Sequence, residues 1–348
     1  MAVLPPTNKI MEPALESRLS NRVLVLDGAM GTMIMNASLS EADFRGEIFK
    51  NHPVALKGCN DILVLTSPDV IADIHRQYLE AEADIISTDT FNANRLSLAE
   101  YGVARLAADI CRHGAMLARK AIDDYCRTHE IDEQQRPIVA GSMGPTSISL
   151  SFPGKESMRP TTDFSAMAAA YEEQASALIE GGADILLLET VFDLLNAKAA
   201  LQGITNTFLK SGRKIPLIIS ATLTKNGKLP SGESLREFVE TFEPAEPLAF
   251  GLNCGFGAEA MTPHLRELSS ITRHHVSAHP NAGLPDKAGL YKDTPEKMLK
   301  EVREILEQGM VNIIGGCCGT TPAHIRLIAG EAKRHTPRQS LFGRSHKN

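Results

Sequence analysis

The sequence predicts a single-domain α/β protein folded as a (β/α)8 TIM barrel, on three observations. One pattern recurs eight times: a short apolar run, a polar or glycine-rich break, then a stretch with helical periodicity. The short runs are apolar almost throughout, as parallel strands buried on both faces must be. No segment rich in Pro, Gly and Ser divides the 348 residues, so the eight units belong to one body.

In chain order the strand candidates are "VLVLD" (23–27), "DIISTD" (84–89), "IVAGS" (138–142) and "DILLLE" (184–189). They continue with "LIISAT" (217–222), "AFGLNC" (249–254), "VSAHP" (276–280) and "VNIIGG" (311–316). Residues 33–67 are an insertion after the first strand, and "ILVLT" within it reads as an extra strand or a loop. In "SPDVIADIHRQYLEAEA" Ser67 is placed to cap a helix whose first turn accepts Pro68. "TPEKMLKEVREILEQG" repeats the logic, with Thr294 as cap, Pro295 at the start and Gly309 past the end. The rival architecture, a doubly wound open sheet, would carry a phosphate fingerprint after its first strand, and "DGAMGT" is not G-x-G-x-x-G. The expected division is an N-terminal extension (1–21), the barrel (22–334) and a polar tail (335–348) that frays from the body.

Composition narrows the function classes. The chain is 43% hydrophobic and 22% charged with a formal net charge of -6, which leaves no basic footprint for nucleic acid or anionic membrane. No apolar run reaches the ~18 residues of a membrane span. The N-terminus has no apolar signal core, and six cysteines without one read as reduced thiols of a cytoplasmic protein rather than a disulfide frame.

A barrel of this kind works at the C-terminal ends of its strands. Those ends hold Asp27, Asp89, Ser142, Glu189, Thr222, Asn253 with Cys254, His279, and Gly316 with Cys317 and Cys318. Cys59, Cys111 and Cys126 fall elsewhere, in the insertion and in helical stretches. Adjacent cysteines bridge each other only with strained geometry. Strands six and eight lie near each other around a closed barrel, so Cys254 can meet Cys317 and Cys318 at one site. Three thiolates are a soft donor set suited to Zn2+, with the fourth position left to a substrate in an open site. Two alternatives stand beside this: a closed structural zinc site completed by His279, and three small buried thiols with no metal. Zinc held by three thiolates is a weak Lewis acid, suited to ionising a substrate thiol for attack on an electrophilic carbon. Asp27 and Glu189 can each accept hydrogen bonds from an ammonium group, and the backbone of the Gly28 turn can hold a carboxylate. For either acid a helix cap or surface ion pair is the alternative. His75, on a helical stretch, reads as an ordinary surface or groove residue.

These residues resemble the homocysteine S-methyltransferase family, whose pattern runs from about Val23 to Ala332 with the hallmarks "LDGAMGT", "NCGFG" and "GGCCGT". Within it the chain looks closest to the homocysteine-binding modules of cobalamin-dependent methionine synthases, on "DFRGEIFKNHPVALKGCNDILVLTSPDVI", "LLLETVFDLLNAKAA", "GLNCG" and "SAHPNAGLP". The resemblance implies zinc on Cys254, Cys317 and Cys318 with homocysteine sulfur as fourth ligand. It also implies a substrate site at Asp27, Gly28, Glu189 and Asn253. Relatives often read "DIIETNTF" where this chain has "DIISTDTF", so Ser87 and Asp89 receive no role. A cobalamin-binding D-x-H-x-x-G is absent, because "DIHRQY" places Tyr78 where glycine is needed. The expected methyl donor is therefore methylcobalamin carried by a partner, with cobalamin- and folate-binding proteins or modules outside this sequence. S-methylmethionine and betaine are the alternative donors. An aromatic cage for betaine's quaternary ammonium is disfavoured by a chain with no Trp and five Tyr.

Overall fold

Eight parallel strands form one sheet in the order β1-β8-β7-β6-β5-β4-β3-β2. The computed structural model describes residues 11–152, 162–287 and 289–339. The strands are β1 (Leu24–Val25), β2 (Ile85–Ser87), β3 (Ile138–Met143), β4 (Ile185–Val191), β5 (Leu217–Ala221), β6 (Ala249–Gly257), β7 (His275–Asn281) and β8 (Ile313–Ile314). All eight fall on the predicted runs. A parallel bridge between Leu26 and Ile85, with the Asp27 N–H donating to the Ile85 carbonyl at 2.9 Å, joins β1 to β2 and closes the ring. Helices follow the strands on the outside, which makes the (β/α)8 barrel.

Alternation along the strands builds two cores. Val23, Val25, Ile86, Val139, Leu186 and Leu188 face outward into the layer under the helices. Leu24, Leu26, Ile85, Ile138, Ala140, Ile185, Leu187 and Ile218 fill the barrel interior, sealed at its base by Leu15 and Leu19 of the helix Met11–Asn21. Further up, the interior turns polar with Ser142, Ser220 and Ser277. A methyl group on Gly251 would lie 2.2 Å from Ser277 Oγ, so the strand needs glycine there.

The structure corrects four expectations. "ILVLT" is neither strand nor loop: a turn of 3-10 helix (Asn60–Ile62) leads into the helix Leu63–Thr66. A closed barrel offers that run no free sheet edge, and Leu63 and Val64 bury against the outer core instead. Ser67 precedes the helix Pro68–Glu80 but does not cap it; its hydroxyl donates to the Asp43 carbonyl at 3.0 Å. Thr294, by contrast, accepts the Lys297 N–H as expected. His75 is fully buried rather than at the surface, and burial pushes its ring down to about 4, leaving it neutral. The start of the tail is docked rather than frayed. Arg338 is buried and its guanidinium donates to the Ser269, Thr272 and His274 carbonyls at 2.8, 2.6 and 2.9 Å. Residues 1–10 of the extension and 340–348 of the tail lie outside the described residues.

Candidate active site and metal centre

Two strands break their ladders where the site begins. The β4–β5 register shifts between Leu188 and Val191, and the β6–β7 register shifts between Asn253 and Gly257. Such irregularities re-aim side chains at the end of a strand. Thr190 and Cys254 both adopt left-handed backbone, with φ of 56° and 59°, an uncommon conformation for residues other than glycine. Asn253 ties the two breaks together. Its Oδ1 accepts from the Thr190 N–H (2.9 Å) and the Ser220 hydroxyl (2.7 Å), and its Nδ2 donates to Thr190 Oγ1 (2.8 Å). Its amide is thus spent behind the wall of the cavity, setting the backbone on either side of Glu189 and Cys254.

Cys317 and Cys318 follow β8 on a loop held from both sides. The Gly316 N–H donates to the Asp27 carbonyl (3.1 Å), and the Cys317 N–H donates to the Pro280 carbonyl (2.8 Å). A Cβ on Gly315 would meet the Leu26 carbonyl at 2.8 Å, so this close approach requires glycine. The loop brings Cys318 Sγ to 3.9 Å from Cys254 Sγ and 4.0 Å from Cys317 Sγ. All three sulfurs lie within 4.8 Å of one another. Tetrahedral zinc with Zn–S bonds of about 2.3 Å separates its sulfurs by about 3.8 Å, so the tripod fits that ion. Among the described residues no His, Asp, Glu or further Cys joins this cluster, and His279 stays outside it, buried, with Nε2 unpartnered. Hydrogen bonds from the Cys317 and Cys318 thiols hold Cys254 well below the ordinary thiol range and push Cys317 up. Asn281 helps hold Cys254 down, and Tyr291 acts on Cys318 in the same direction.

The cysteines form one wall of a cavity of about 400 Å3 that also takes in Asp27, Gly28, Asn60, Asp61, Asp89 and Glu189. Asp27 accepts from the Ser87 N–H and hydroxyl, each at 2.8 Å, and burial pushes it up to about 8. Glu189 accepts from the Ser142 hydroxyl at 2.7 Å and is pushed up to about 7 by burial. Among the described residues no Lys or Arg lines the cavity. Four carboxyl groups and three thiols without a cation make a site that attracts positive charge. At Gly28 a side chain would meet Thr320 Oγ1 at 2.7 Å, and the Ala29 N–H donates to that same hydroxyl at 3.1 Å. Of the predicted residues, Asp27, Gly28, Glu189 and the three cysteines converge on the cavity, whereas Asn253 stands one layer back. Asn60, Asp61, Asn281 and Tyr291 were not anticipated; the "ND" before "ILVLT" was the only mark left by the first two.

Three thiols and four buried acids gathered at the mouth of a (β/α)8 barrel stand where such a fold places its chemistry. The chain matches the homocysteine S-methyltransferase family over residues 24–332 and belongs to it; it is a methyltransferase. Among solved structures it is similar to the homocysteine methyltransferase MmuM from Escherichia coli in its metallated form. The TM-score is 0.70 at 23% identity, over 92% of this chain and 99% of that one. The apo form of the same protein gives a TM-score of 0.64 at 23% identity, over 91% and 98%. At this identity the likeness shows the shared fold. Among the described residues no helix is long and apolar enough to cross a membrane.

Proposed function

We propose that this chain binds homocysteine with its thiol at a zinc ion held by Cys254, Cys317 and Cys318, and methylates that sulfur to give methionine. The observation that carries the reading is the tripod itself: three sulfurs at tetrahedral spacing, facing a cavity, with no fourth protein ligand from His, Cys, Asp or Glu among the described residues. Bound zinc would ionise the substrate thiol at neutral pH while three thiolates keep its sulfur electron-rich. Asp27 and Glu189 accept hydrogen bonds from the substrate ammonium, and that cation replaces the protons that burial otherwise retains on them. The backbone of the turn 28–32 receives the α-carboxylate, and Asn253 keeps Thr190 and Glu189 in place. In the transfer a sulfur lone pair forms the new S–CH3 bond, and the electrons of the broken bond stay with the donor.

Methylcobalamin on a partner protein or module is the proposed donor, supplied across the open barrel mouth. Among the described residues Phe91 and Tyr291 are the only Phe, Tyr or Trp side chains lining the cavity, too few for the cage that betaine calls for. X-ray absorption at the zinc edge, with and without homocysteine, tests the core of the proposal. The expected change is from three sulfur neighbours to four; four protein ligands and a spectrum indifferent to homocysteine would make the zinc structural. Turnover with methylcobalamin, S-methylmethionine and betaine in parallel decides the donor.

A further inference from the structure

Asp89 lies two residues beyond Ser87, whose N–H and hydroxyl bond Asp27, and lines the same cavity as the turn 28–32. Its side chain lines the cavity while only 5% exposed, and its Oδ2 has no partner. The contrast with the other two acids is one of donors. Asp27 takes two hydrogen bonds from Ser87 and Glu189 takes one from Ser142, so a negative charge on either is supported. Asp89 faces Asp61, whose Oδ1 accepts the Asn92 N–H at 2.8 Å. Two buried carboxyls in one corner cannot both ionise, and the one already receiving an N–H keeps the charge. Asp61 is therefore the anion and Asp89 retains the proton. Burial and the Asp61 charge push Asp89 well above the carboxylate range, whereas burial takes Asp61 only to about 6.

A neutral acid is a hydrogen-bond donor. Other donors border the same corner: the Asn60 side-chain amide lies 3.7 Å from where Gly31 would carry a Cβ, beside the turn backbone. β2, which leads to Asp89, stands across the barrel from β6, which ends near Cys254. An amino acid with its thiol at the cysteines thus has its far end available to this donor set. We propose that Asp89 is a substrate-binding residue that stays protonated and donates its O–H to the α-carboxylate of homocysteine. This rests on the homocysteine reading above. The titratable groups acting on Asp89 are Asp61 and Cys59 on the insertion, and Asp27, Glu189, His279, Tyr291 and the three cysteines share its cavity.

The test is equilibrium binding of homocysteine and of its carboxylate-free analogue, aminopropanethiol, to the zinc-loaded chain. Asp89→Ala is expected to weaken homocysteine by about tenfold or more and to leave the analogue within ~twofold. Asp89→Asn, the same shape with an N–H donor, should keep homocysteine within ~threefold and resist the loss of affinity that the wild type shows as alkaline pH ionises Asp89. The infrared stretch of a protonated carboxyl should be present at neutral pH in the wild type and reduced in Asp89→Asn. Equal weakening of both ligands by Asp89→Ala, Asp89→Asn as damaging as Asp89→Ala, or identical infrared bands would overturn the assignment. A wild type that binds neither thiol would instead bring down the homocysteine reading and this one with it.

Discussion

β2 and β4 each have one acid at the base of the barrel, Asp84 and Asp184, and another towards the mouth, Asp89 and Glu189, and the two ends have opposite fates. At the base, Asp84 takes hydrogen bonds from Arg22 (2.7 Å), Arg18 (3.4 Å) and the Val25 N–H (2.9 Å). Asp184 pairs with Arg119 and accepts the Val139 N–H at 2.9 Å. At the mouth, Glu189 has a serine hydroxyl and Asp89 Oδ2 has no hydrogen-bond partner among the described residues. The chain neutralises its own acids where the barrel is closed by the helix Met11–Asn21, and among the described residues sets no arginine or lysine against those of the mouth cavity. On the reading proposed above, the substrate ammonium does for Asp27 and Glu189 what arginines do for the base, and the same residue type then serves stability at one end and binding at the other.

The largest test of that division is at the tripod. Cys318→Ala should lose zinc and lower methyl transfer by about a thousandfold or more, while the metal-free protein unfolds within about 1 kcal/mol of wild type. Metal analysis, turnover and a denaturant titration read the three effects. Next comes Glu189→Gln, expected to raise the homocysteine Kd by roughly 30-fold, about 2 kcal/mol, with zinc content unchanged. Asp84→Asn should do the reverse, removing about 2 kcal/mol of stability by leaving two guanidinium groups without their carboxylate, at an unaltered homocysteine KM. A comparable KM change in both variants would erase the distinction between base and mouth.

The smallest effect is a pH dependence. Asp27 and Glu189 hold their protons to about 8 and about 7 in the fold, whereas the unfolded chain releases them near pH 4. Across that interval the folded state binds more protons, so the contribution of these groups to stability is greatest below about pH 4 and falls as pH rises towards 8. Thermal melts of the substrate-free protein should show this slope, and Glu189→Gln should flatten it by an amount on the order of 1 kcal/mol. A slope identical in the variant would mean that Glu189 ionises freely in the fold.

Much of the molecule was legible along the chain because its signals are local. All eight strands were, since a buried parallel strand must be apolar over its own few residues, and "CC" and "NC" at strand ends marked the thiols directly. The insertion was misread because "ILVLT" has strand composition and helical surroundings, and tertiary packing overrode propensity. His75 sits on a helix whose polar neighbours suggested solvent, yet its own face turns into the core. Arg338 looked like part of a frayed tail because its three carbonyl partners lie between 64 and 69 residues away.

By itself the sequence determined the barrel, the eight strand ends and the three-thiol cluster. Closing eight parallel strands into a ring carries every C-terminal end to one mouth, whatever the loops do between. Only the tertiary structure decided which acids are neutralised. Arg22 reaches Asp84 across 62 positions, and Asp61 comes from the insertion to sit against Asp89. The charge state of a buried carboxyl depends on donors and cations within a few ångströms, and those neighbours are brought by the fold rather than by adjacency in the chain.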